Sequence, residues 1–173
     1  QVSMNILKLV PGTAGSPDTW EGYITGVSSK TGLPSTTPTL KSDGVLADLG
    51  DGTYRYTFKD NTVSGNTNTW TTAFDPTLTH RLGIHIATSG GPHKPVNYWR
   101  DFVPDGSPVT TQRVISNVAY CMECHGLNSA WTKGTNPGFH GGNRIDPNTC
   151  VFCHTYQRAN STTPIASVPT TTG

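Results

Sequence analysis

Two short motifs in the last third of the sequence, Cys121–His125 and Cys150–His154, constrain the structure of this chain most strongly. Each is a Cys-x-x-Cys-His run, the attachment pattern of c-type haem. Two thiols at this spacing can reach the two vinyl groups at one edge of a porphyrin, and the next imidazole can bind the iron. All four cysteines of the chain belong to these motifs. The motifs predict two covalently attached haem c groups, with thioethers from Cys121, Cys124, Cys150 and Cys153 and proximal iron ligands from His125 and His154.

A zinc ribbon of four thiolates is the main alternative for two Cys-x-x-Cys pairs. It explains the cysteines, but it leaves the histidine after each pair as a coincidence that occurs twice. A thioredoxin-type redox motif fits less well, because it calls for one such pair beside a βαβ pattern that this sequence lacks. The motifs therefore favour haem.

Composition restricts the partners and the compartment. Only 13% of the residues are charged, the net charge is +1 and there is no basic run, so we expect no nucleic-acid partner. No apolar stretch approaches the length of a transmembrane segment. Covalent haem attachment implies export, so an extracellular or cell-surface location is expected, with the periplasm as the alternative. The chain begins at Gln1 rather than Met, which suggests a processed or excised product.

Residues 1–110 predict a mainly-β fold, a small Ig-like β-sandwich. Tyr54, Tyr56 and Phe58 alternate with polar residues after a Gly-Asp-Gly turn, the period-2 pattern of a strand with one buried face. Residues 4–10 and 96–103 are further strand candidates. Turns rich in Gly, Pro, Ser and Asn separate these short segments, as is typical of a sandwich.

Another strand is predicted over residues 80–86. Leu82, Ile84 and Ile86 share a face there with His80, whereas His85 points the other way. The alternation predicts that the apolar side packs into the protein.

Residues 111–160 predict a largely irregular di-haem domain, because a haem supplies the apolar core that side chains would otherwise build. Residues 114–120 are interpreted as a last strand or as a lead-in to the first haem motif. Residues 161–173 form a Thr- and Pro-rich segment that we expect to be an extended tail.

Four stretches of the chain resemble a known family: residues 7–12, 50–58, 75–81 and 140–144. In the same order, they are similar to segments of the outer-surface decahaem cytochromes of the OmcA/MtrC type. The resemblance implies a β-sandwich followed by a haem domain, bis-histidine ligation, and electron export to minerals or other extracellular acceptors. This chain departs from the family in having two haem motifs instead of many and little sequence ahead of residue 7. It is interpreted as a reduced family member or a fragment.

Four histidines remain for the two distal iron positions. His140 is the first candidate, because it lies between the motifs and Gly141-Gly142 lets the backbone approach a flat macrocycle closely. His80 is second, since it matches a Thr-His-Arg motif of the family that the chain resembles. His85 and His93 follow. Arg81, Arg113 and Arg144 are candidates for pairing with haem propionates, and a solvated surface position is the alternative for each.

The leading functional hypothesis is an electron-transfer protein and not an enzyme, with other redox proteins or extracellular acceptors as partners. The alternative is a small haem enzyme of the peroxidase or reductase type, in which one iron keeps an open site. A third hypothesis is a structural or adhesive β-domain in which haem is secondary. A homopolymer is a further hypothesis, joined through the tail, an open sheet edge or a haem ligand shared between subunits, and a flexible linker to further domains is the alternative for the tail.

Overall fold

The structure, a computed structural model, describes residues 2–27, 34–36, 44–58, 69–70, 73–86, 95–114, 117, 119–120 and 143–155. For 24–27, 34–36 and 69–70 it describes the backbone only. Within these ranges the chain forms nine strands, which are β1 Val2–Val10, β2 Thr19–Gly22, β3 Ile24–Val27, β4 Pro34–Thr36, β5 Gly44–Asp48, β6 Tyr54–Phe58, β7 Thr69–Trp70, β8 His80–Ile86 and β9 Val96–Phe102. A 3-10 helix, Pro147–Phe152, follows. The predicted mainly-β fold is confirmed.

The strands form three sheets, and all their pairings are antiparallel. The largest has the order β2-β1-β8-β9, and the others have the orders β4-β3-β7 and β5-β6. In the four-stranded sheet, β1 is paired on both sides and β2 and β9 form the edges. The 3-10 helix lies against this sheet, with contacts to β1 and β9.

β8 has the predicted bounds, but its more buried side is the polar one. Arg81, Gly83 and His85 are buried, whereas Leu82 and Ile84 are half-buried and Ile86 is exposed. The reason is the 3-10 helix, which covers the Arg81 side of the strand. The Phe152 ring packs on Gly83 and makes an edge-to-face contact with the His85 ring. The period-2 pattern of a strand cannot predict which side will be covered by a segment that is distant in the sequence.

β6 also has its predicted bounds, but the prediction that its aromatic face is buried is wrong. Tyr54 is exposed, and Tyr56 and Phe58 are half-buried. Among the described residues β6 pairs only with β5, and its two half-buried rings pack edge to face with centroids 5.0 Å apart. The turn before it is confirmed, since Gly50 and Gly52 both adopt positive φ, which glycine tolerates.

The strand considered over residues 114–120 is absent from the described residues of that range, which are 114, 117, 119 and 120. The backbone N–H of Tyr120 instead donates to the Asn117 carbonyl at 3.1 Å, and the Asn117 side chain accepts from the N–H of Ala119. Ala119 and Tyr120 are helical, and Asn117 caps this short helical segment, so the lead-in interpretation is the better of the two.

Candidate haem site

The second Cys-x-x-Cys-His motif lies at the end of the 3-10 helix, and Asp146 begins that helix. The Asp146 carboxylate accepts the backbone N–H of Asn148 at 2.8 Å, and Pro147 occupies the first helical position. An acidic cap followed by proline is a common helix start, because it satisfies an end N–H and fixes φ. The backbone N–H groups of Cys153 and His154 both donate to the Cys150 carbonyl, at 3.1 and 2.8 Å. The motif is therefore one closed turn.

The residues of the motif differ in exposure. Val151 and Phe152 are buried, whereas both cysteines are half-buried and His154 is exposed. Cys150 and Cys153 lie three positions apart and therefore on the same side of a 3-10 turn, and Cys153 also packs against the core cluster. Neither cysteine is in a disulfide. The three residues required for covalent haem binding are thus only partly covered by the protein, and the donor set fits the group.

The middle of the turn is part of the hydrophobic core. Val151 and Phe152 form one cluster with Leu7, Leu9 and Trp20 of β1 and β2. Phe152 is fully buried, and its ring lies so close to Gly83 that a Cβ at that position would be 2.3 Å from the ring carbons. Glycine is the residue that permits this approach, so β8 is shaped to receive the motif.

β9 holds the segment just before the motif by side-chain hydrogen bonds. The Asn97 amide nitrogen donates to the Asn143 carbonyl at 3.0 Å, and its oxygen accepts the N–H of Ile145 at 2.8 Å. The Trp99 indole N–H donates to the Asp146 carboxylate at 2.9 Å. Asp146 thus caps the helix and joins it to the sheet.

Arg81 lies at the centre of this packing and is fully buried. Its guanidinium donates to both carboxylate oxygens of Asp101, at 2.7 and 2.9 Å. It is stacked between the rings of Trp20 and Trp99, 4.4 and 4.0 Å from their centroids. It also donates to the Asn148 carbonyl at 3.4 Å, which connects the ion pair to the helix. These contacts commit Arg81 to the protein interior, and neither a propionate-pairing role nor a solvated position describes it.

His80 is fully buried and has both ring nitrogens in hydrogen bonds. The Leu78 carbonyl lies 2.8 Å from Nδ1, so Nδ1 carries the proton, and Nε2 accepts from the Tyr23 hydroxyl at 2.5 Å. Burial raises the pKa of Tyr23 to about 12, which keeps this hydroxyl a donor. Iron ligation by Nε2 would require the loss of the Tyr23 bond. The assignment of His80 as a distal ligand stays a prediction.

His85 lies on the other face of β8 and differs in its bonding. It is 2% exposed, and neither Nδ1 nor Nε2 has a hydrogen-bond partner. Its ring meets the Phe152 ring edge to face, with centroids 5.8 Å apart. Burial lowers the pKa of His85 to about 4, and the nearby Arg144 guanidinium adds to this effect. The imidazole is therefore neutral, the form that binds metals.

The other predicted site residues lie outside the described residues. They are Cys121, Cys124, His125, His93 and His140, together with the tail 161–173. The residues that sequence reasoning missed are Gly83, Asn97, Trp99 and Asp146. Of these, only Asp146 had a readable local pattern, an Asp-Pro helix start just before the motif.

Comparison with solved structures shows a protein with a similar fold. No protein-family model matches the chain, and no curated protein matches it. Among solved structures, it is similar to MtrC from Shewanella baltica OS185, with a TM-score of 0.61 and 23% sequence identity. The match covers 92% of this chain and 24% of that one, so the chain spans about a quarter of MtrC. At this identity the likeness shows a shared fold. In the described residues, no helix is long and apolar enough to cross a membrane.

Proposed function

We propose that this chain is an exported di-haem c-type cytochrome whose function is electron transfer. The observation that carries the proposal is the closed turn of the second motif, in which two core residues are buried while both cysteines are half-buried and His154 is exposed. A structural cysteine pair would have no need of an exposed histidine directly after it. The proposal extends to Cys121, Cys124 and His125 by identity of motif.

The chain's own residues would hold and tune the group. Haem iron supplies reversible one-electron transfer when it is bound. Cys150 and Cys153 would hold the porphyrin edge, and His154 would bind the iron. Val151 and Phe152 anchor the turn in the core, which holds the backbone of the motif against the sheet. Burial raises the pKa of the Cys150 thiol, with the Asp146 carboxylate adding to the effect, so that thiol is protonated before thioether formation.

The fold likeness to MtrC supports an electron-transfer role, because MtrC belongs to the cytochrome type that the sequence resembles. On this basis we propose an extracellular or cell-surface location, and redox proteins or extracellular acceptors as partners. A homopolymer is part of the proposal, through the tail 161–173 or a haem ligand shared between subunits. Deletion of residues 161–173 should lower the sedimentation coefficient at high concentration if the tail joins subunits. An unchanged monomer in both proteins would remove the polymer.

The function is tested by the haem content of the exported, matured chain. The intact mass should exceed the polypeptide mass by two haems after acid-acetone extraction, and a redox titration should reduce both reversibly. The matched control is Cys150→Ser with Cys153→Ser, which should carry one haem fewer. A protein that contains zinc and no iron would overturn the proposal.

Carbon monoxide separates electron transfer from haem catalysis. If both irons have two protein ligands, the reduced wild-type protein should not bind carbon monoxide rapidly. Rapid binding at one haem would favour the peroxidase or reductase alternative, because it would reveal an open iron site.

A further inference from the structure

His85 violates the rule that buried polar groups are hydrogen-bonded. Both of its nitrogens are unpartnered although the side chain is almost fully buried. Leaving such a group unsatisfied costs about 1–3 kcal/mol, so each case in a folded protein calls for an explanation such as catalysis or an ion. His80, five residues earlier on the same strand, has both nitrogens paired. The sheet is thus able to provide hydrogen-bond partners for a buried histidine, and it provides none for His85.

A second unpartnered atom lies beside His85. On β1, Ser3 is the direct cross-strand partner of His85, and Asn5 is the partner of Gly83. Asn5 is therefore the diagonal neighbour of His85 on the same face, within reach of a long side chain. Asn5 is buried, and its amide oxygen has no hydrogen-bond partner. A metal-bound histidine needs one nitrogen for the metal and an acceptor for the N–H of the other, and Asn5 offers that acceptor.

We propose that His85 is an axial ligand to a haem iron, so that the β-sheet supplies a ligand to the haem assembly. This inference rests on the proposed function, because it requires haem to be attached. In the second motif the Phe152 ring lies against the buried His85 ring, whereas His154 is exposed. His85 therefore serves a haem other than the one attached to Cys150 and Cys153. Asn5 is a positioning residue that accepts the N–H of the ligating imidazole.

The test compares two variants of the haem-loaded full chain. In His85→Ala, one low-spin haem should become high-spin in low-temperature spin-resonance spectra, and the reduced protein should bind about one equivalent of carbon monoxide. Added imidazole should restore the low-spin signal. Thr79→Val is the control, a buried polar residue next to the same strand whose hydroxyl donates to the Thr111 carbonyl, and it should change neither spectrum.

A variant without the second haem-attachment site identifies the haem that His85 ligates. In the variant that lacks Cys150 and Cys153, the remaining haem should still change from low spin to high spin when His85→Ala is added. If it does not change, the assignment to another haem is overturned. If two haems are attached and His85→Ala leaves both low-spin with no carbon monoxide binding, the inference fails and the proposed function stands. Absence of haem from the wild-type protein would instead be a failure of the proposed function.

His85→Met provides a second test of iron ligation if the alanine variant does not fold. A thioether at this position can still bind iron, and histidine–methionine ligation raises the reduction potential. We expect one of the two potentials to rise, and Asn5→Val to shift the same potential by a smaller amount, because the ligand loses its second-shell acceptor. Two unchanged potentials in a folded His85→Met protein would overturn the inference.

Discussion

Each face of β8 carries one buried histidine, and the two histidines have different surroundings. On one face His80 is enclosed by the rings of Tyr23, Phe74 and Phe102, and both its nitrogens are bonded. On the other face, Arg81, Gly83 and His85 receive the second haem motif. We call the first face the closed face, because both nitrogens of its buried histidine have hydrogen-bond partners. On the second face, neither nitrogen of the buried histidine has one. The difference indicates that the first face stabilises the sheet and the second connects it to the haem segment.

The largest expected effect comes from breaking the ion pair on the haem-side face. Arg81→Met leaves the Asp101 carboxylate buried without its partner, which should lower the free energy of unfolding by about 3–5 kcal/mol. Chemical denaturation followed by circular dichroism measures this loss. The double variant Arg81→Met with Asp101→Leu removes both charges and should recover most of the stability. If the double variant is as unstable as the single one, the stability of this face does not depend on the ion pair.

The next effect concerns the close approach of the motif to β8. In Gly83→Ala the new methyl group overlaps the Phe152 ring, so the ring must move. We expect a loss of about 1–3 kcal/mol in unfolding free energy and less haem at the second motif, measured by peptide mass. Adding Phe152→Leu should restore room and part of the loading. Unchanged stability and loading in Gly83→Ala would show that Phe152 does not pack there.

A smaller effect is expected on the closed face. Tyr23→Phe leaves Nε2 of His80 without its donor in a buried position, which should cost about 1–2 kcal/mol of unfolding free energy. The haem spectrum should not change, since this face is not turned toward the motif. A spin-state change in this variant would mean that Nε2 of His80 is connected to an iron, and the contrast between the faces would fail.

The smallest effect is a pH dependence of stability. Burial lowers the pKa of His80, with Lys8 adding to this effect and the Leu78 carbonyl and Asp75 opposing it. Because the folded pKa lies below the unfolded value of about 6.5, neutral His80 contributes stability that is present above that pH. This contribution is lost as pH falls through 6.5 toward the folded pKa. Wild-type protein should lose stability more steeply than His80→Gln below about pH 6.5, by at most about 1.4 kcal/mol per pH unit. His85 contributes equally to both proteins, so parallel denaturation curves would contradict the prediction.

Local patterns predicted four of the nine strands in the described residues, β1, β6, β8 and β9, because period-2 alternation is a property of a few neighbouring residues. The bounds of β6 and β8 follow from such alternation. The burial of Arg81 and His85 did not follow, because the covering residue Phe152 is more than sixty positions away in the sequence. The haem motif was readable because covalent attachment fixes its spacing. The contacts of the motif with Gly83 and Asn97 could not be predicted from the sequence, because a single glycine or asparagine in a strand is compatible with many different structural roles.

The central claim is that the second haem motif is packed into the sheet and opens together with it. Native-state hydrogen exchange, read by mass spectrometry on peptides covering 143–153 and 80–86, tests this most directly. The account predicts similar protection for the two peptides and a parallel loss of protection in Arg81→Met. Rapid exchange of 143–153 beside a protected β8 would contradict it, because the motif would then be detached from the sheet.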